Sequence, residues 1–61
     1  MDELTGPGAH LPWRVHLEIL AGNEFKHVIF GFPTESAAKG FRREARKHAV
    51  VMEAVIKYVE G

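Results

Sequence analysis

A chain of 61 residues without cysteine is at most one small domain, its core barely outweighing the entropy of ordering it, with disulfide frameworks and cysteine-ligated zinc both excluded. Eight Lys and Arg balance eight Asp and Glu, which counts against a dedicated nucleic-acid binder, and 46% apolar residues is too many for a disordered chain. No apolar run approaches the ~18 residues of a membrane span, and no basic-then-apolar signal opens the chain, so a cytoplasmic location is expected.

Residues 1–12, MDELTGPGAHLP, carry two glycines and two prolines and show no periodicity. The pattern predicts a flexible N-terminal arm, followed by a single small α+β domain over residues 13–61.

Residues 13–32, WRVHLEILAGNEFKHVIFGF, form the clearest signal in the chain. Two runs rich in β-branched and aromatic residues flank Gly22-Asn23, and glycine in first position suits a two-residue type II′ turn. That turn fixes a register in which Ala21 faces Glu24, Ile19 faces Lys26, Leu17 faces Val28, Val15 faces Phe30 and Trp13 faces Phe32. Strand alternation then gathers Trp13, Val15, Leu17, Ile19, Val28, Phe30 and Phe32 on one face, the expected core. The other face carries Arg14, His16, Glu18 and Leu20 on one strand and Phe25, His27, Ile29 and Gly31 on the other. Leu20, Phe25 and Ile29 are the candidate dimer interface, because a domain this small gains core area by doubling.

Thr34 is placed to cap a helix, with Glu35 suited to its positive first turn. Along the remainder, Ala38, Phe41, Ala45, Ala49, Met52, Val55, Ile56 and Val59 fall within an arc of about 120° at helical spacing. Glu53 and Lys57 make a favourable i, i+4 pair, and Gly61 supplies a stop. The pattern favours one amphipathic helix from about Glu35 to Glu60, giving a ββα unit: a hairpin packed on one long C-terminal helix. The alternative is ββαβ with residues 50–59 as a third strand, since Val50, Val51, Val55, Ile56, Tyr58 and Val59 all prefer strands.

Lys39, Arg42, Arg43, Arg46 and Lys47 are five of the eight basic residues and lie opposite Phe41 on an ideal helix. A one-sided cationic row suits an acidic protein surface or nucleic-acid phosphates, although it is also what the wet side of an amphipathic helix looks like. No aromatic residue interleaves with these cations to stack bases. His16, Glu18 and His27 share the outer hairpin face, Glu18 directly opposite His27. Such a trio has the chemistry for a metal or a proton, yet the spacing is a by-product of strand alternation, and a polar cross-strand cluster is the simpler reading. His48 is expected to pack near Phe41 and Met52. No catalytic dyad or phosphate-binding loop is present, and no metal or cofactor is expected. The chain therefore reads as a non-catalytic interaction or regulatory module, a homodimer that binds another protein. A nucleic-acid binder using the basic helix face is the alternative.

Overall fold

The computed structural model describes residues 2–6 and 8–60, with side chains from Thr5 onward. Gly61, expected as a helix stop, lies outside them. In chain order the elements are β1 (Asp2–Thr5), β2 (Trp13–Ala21), β3 (Glu24–Phe32), α1 (Glu35–Ala45) and β4 (Val51–Tyr58). They build one four-stranded sheet in the order β1-β3-β2-β4. β2 is antiparallel to both β3 and β4, whereas β1 runs parallel to β3. β3 and β4 thus point the same way with β2 between them, and α1 is the crossover that joins them.

The hairpin forms in the expected register throughout, from Trp13↔Phe32 to Ala21↔Glu24. Gly22 has φ +63°, and among the described residues no non-glycine has a positive φ, so only the first turn position is left-handed, as a type II′ turn requires. The inner face packs beneath α1: Val15, Leu17, Ala38 and Ala45 are buried, ringed by Trp13, Ile19, Phe30, Phe32, Phe41, Val51, Ala54 and Ile56. Phe41 clamps helix to sheet, its ring centroid 4.8 Å from Phe30 and 5.0 Å from Phe32. Tyr58 closes the far end, 4.7 Å from Trp13 between ring centroids.

Thr34 caps α1 as its sequence implies, with extended backbone and Oγ1 accepting from the Ala37 amide at 3.2 Å. The helix does not continue to residue 60. It stops at Ala45, and Lys47 and His48 donate to the carbonyls of Glu44 and Ala45, three-residue bonds that tighten and end the last turn. The long helix of the ββα arrangement is therefore corrected to an 11-residue helix followed by a strand, the hairpin–helix–strand order of the alternative.

The reason lies in β2. Its even-numbered residues direct their backbone groups away from β3, and β4 supplies partners for them: Leu20 donates to the Val50 carbonyl and Val59 to that of Pro12. A helix over residues 46–60 would leave that edge of β2 without a ladder. Side-chain burial agrees. Met52, Val55 and Val59, on the apolar arc of a helix, are exposed, while Ala54, which breaks that arc, faces inward opposite Leu17. His48, expected against Phe41, is exposed in the connecting turn.

Within the segment read as an arm, Asp2–Thr5 form β1, paired with Lys26–Ile29. Beyond it the Gly6 amide donates to Ile29. Gly8, with φ +72°, lies so close over Gly31 that a Cβ on Gly31 would collide with the Gly8 carbonyl oxygen.

Candidate binding surfaces

Two surfaces carry the polar residues singled out by the sequence, and they lie on opposite sides of the sheet. The first is the outward side of α1. Its inward side is set by Ala38, Phe41 and Ala45, and the 3.6-residue period turns Lys39, Arg42, Arg43 and Arg46 outward, with Lys47 following in the turn. All five line one shallow, open depression. Lys39 sits 3.8 Å from the Glu35 carboxylate and Lys47 3.2 Å from that of Glu44, both pairs well exposed and hence weak. Among the described residues, no carboxylate lies within ion-pair distance of Arg42, Arg43 or Arg46. Residues 35–48 hold five bases and two acids, whereas the remaining residues hold three bases and six acids. A neutral chain is in this way strongly polar.

The second surface is the outer face of the sheet. His16 and His27 approach diagonally, with Nδ1 of one 3.1 Å from Nε2 of the other and both rings half-buried. A hydrogen bond between them requires one nitrogen to donate and the other, on a ring unprotonated there, to accept. Glu18 is opposite His27 as expected. Among the described residues, no three His, Cys, Asp or Glu side chains gather as metal ligands.

Of the apolar residues that the hairpin places on this face, Leu20 and Phe25 are paired next to the turn, and Ile29 lies opposite His16. The polar pair Glu18–His27 separates the two groups, so the three do not form one continuous patch. Phe25 is the most exposed of them.

Glu53, Val55 and Lys57 also belong to this surface, which the hairpin pattern alone did not reveal. With His16, Glu18 and His27 they line a depression of about 180 Å³, smaller than the ~300–1,000 Å³ that encloses a small ligand. The signal that identifies them is alternation at 53, 55 and 57, masked because the same residues also fit a helix. In register, Glu53 lies opposite Glu18, and Lys57 opposite Arg14. Like charges therefore face each other across β2 and β4 at both positions, an unfavourable arrangement.

Among the described residues no helix is long and apolar enough to cross a membrane. No family model, curated protein or solved structure matches this chain.

Proposed function

We propose that this chain is a small non-catalytic interaction module, homodimeric, that binds a carboxylate-bearing surface of another protein through the outward side of α1. The observation that carries this reading is the basic depression itself. Three guanidiniums share it without an internal carboxylate, although the chain as a whole has as many acids as bases. Guanidinium forks match carboxylates in bidentate geometry, and weakly hydrated arginine suits a protein contact better than lysine. The surplus of acids elsewhere on the chain works against an extended polyanion lying across the molecule, while a local acidic patch touches only the helix side.

A second reading, nucleic-acid binding, has one observation in its favour: the same three unpaired arginines suit phosphates equally well. Fluorescence-anisotropy titrations with a labelled glutamate-rich peptide, a labelled duplex and a labelled single strand, at low and physiological salt, separate the two. The protein-binding reading expects saturable binding of the acidic peptide at physiological salt. It also expects the triple variant Arg42→Ala, Arg43→Ala, Arg46→Ala to lose that binding with an unchanged far-ultraviolet spectrum. Tight binding to the duplex or strand at physiological salt, with a salt slope of several phosphates, would replace it with the nucleic-acid reading. Full affinity in the triple variant would overturn both.

A further inference from the structure

β4 is an edge strand of eight residues, Val51–Tyr58, paired with β2 on one side only. Among the described residues, five of the six exposed large apolar side chains, Val50, Met52, Val55, Tyr58 and Val59, lie on it or beside it. A long, apolar, unpaired edge of this kind is a template for another strand. The donation from Val59 to Pro12 and that from Leu20 to Val50 fix which groups are free. Antiparallel pairing alternates, so Glu53, Val55 and Lys57 direct their N–H and C=O toward β2, and Ala54, Ile56 and Tyr58 present theirs to the open side.

The side-chain pattern of the strand is self-complementary about Val55. When two copies of β4 lie antiparallel with Val55 opposite the partner's Val55, Glu53 lies opposite the partner's Lys57 and Lys57 opposite the partner's Glu53. Ala54 meets the partner's Ile56, and their free backbone groups bond in both directions. A shift of the centre by one residue either way loses both charge pairs. The bulge, where β4 shifts register against β2 between Glu18 and Ile19, falls at Met52, outside the Glu53–Lys57 segment.

The like-charged contacts inside one chain give the pairing its second support. Glu18 faces Glu53 and Arg14 faces Lys57 across β2 and β4. In the paired form each row becomes Glu18, Glu53, the partner's Lys57, the partner's Arg14, two acids beside two bases. The arrangement that is unfavourable within one chain is offset at both ends by the second.

The geometry points to a twofold homodimer formed by antiparallel pairing of β4 with β4 of a second copy, centred on Val55 and set in register by Glu53–Lys57. This deepens the homodimeric part of the function proposed above. Two four-stranded sheets become one of eight strands. Residues directly opposite in an antiparallel pair share a face, so the two inner faces are continuous and both α1 helices lie on the same side. Their basic faces then form a bivalent surface, which strengthens attachment to a partner with two acidic segments by effective concentration.

Sedimentation-velocity and light-scattering measurements on the full chain and two charge-reversal variants test the dimer. The parent is expected to be dimeric. Glu53→Lys and Lys57→Glu each place like charges opposite one another twice across the axis, and each alone is expected to dissociate at least about tenfold more readily. In a mixture of the two, both lysines of the first variant lie opposite glutamates of the second. The equimolar mixture is therefore expected to recover a heterodimer, although neither component dimerises well alone. A monomeric parent would overturn the proposal and leave the edge open to a strand of a different protein. Variants as dimeric as the parent, or a mixture that stays monomeric, would overturn it too, and the first would place the contact elsewhere, with Leu20, Phe25 and Ile29 next to be substituted. Binding of the acidic peptide by a monomeric variant, or its loss in a dimeric arginine variant, keeps failure of the dimer distinct from failure of the helix site.

Discussion

Gly31 shows how one missing side chain positions a segment. It is buried on the outer face of the sheet with the Gly8 carbonyl directly over it, and it is this absence of a Cβ that lets the chain after β1 cross the end of β3. Gly31→Ala is expected to push that crossing away and destabilise the fold by about 1–3 kcal/mol, several degrees in the thermal midpoint of so small a domain. Gly40 is the matching control. A Cβ there meets nothing within 4 Å, and glycine inside a helix is unfavourable, so Gly40→Ala is expected to stabilise by about 0.5–1 kcal/mol. Thermal unfolding followed by circular dichroism checks both, and equal effects of the two substitutions would contradict the account of Gly31. The sequence marks both as glycines in awkward places. It does not show that one lies under another segment, because that contact spans more than twenty residues of chain.

At the scale of elements, legibility follows the range of the interaction that decides each one. The hairpin is readable in full because a two-residue turn at Gly22-Asn23 sets every pair from Ala21 outward, and the start of α1 because Thr34 and Glu35 act within four residues. Residues 46–60 are not, since their local pattern satisfies two periods at once and the choice falls to the vacant edge of β2. Two substitutions separate strand from helix in that region. In the strand, Ala54 packs inward against the core and Met52 is exposed, whereas a helix would bury Met52 and turn Ala54 outward. Ala54→Lys is accordingly expected to cost about 2 kcal/mol or more, and Met52→Lys to change stability by less than about 0.5 kcal/mol. Urea unfolding of the two variants measures this, and the reverse order of sensitivity would favour the helix.

The whole molecule has a property that neither its composition nor any one element reveals. Composition gives no net charge, and on that ground alone the basic cluster looks like ordinary solvated surface. The fold changes this by folding the 35–48 segment, with its excess of three positive charges, back over the inner face of the sheet as one outward surface. Glu18 and Glu53 are left on the opposite side. Fields from such a distribution act at the range of a Debye length, roughly 10 Å at 0.1 M salt, so a charged surface senses the nearer side of the molecule more than its sum. The chain is therefore expected to be retained by a cation-exchange matrix near its sequence isoelectric point of about 6.9, and to elute at modest salt. Replacing Arg42, Arg43 and Arg46 together with Ala should abolish retention, whereas reversing Lys57, on the far side, should lower it by far less than the two-thirds that its share of the net-charge change would give. If retention instead tracks net charge alone across these variants, the two-sided distribution does not act as a directional surface, and the basic face of α1 loses its claim to orient a partner.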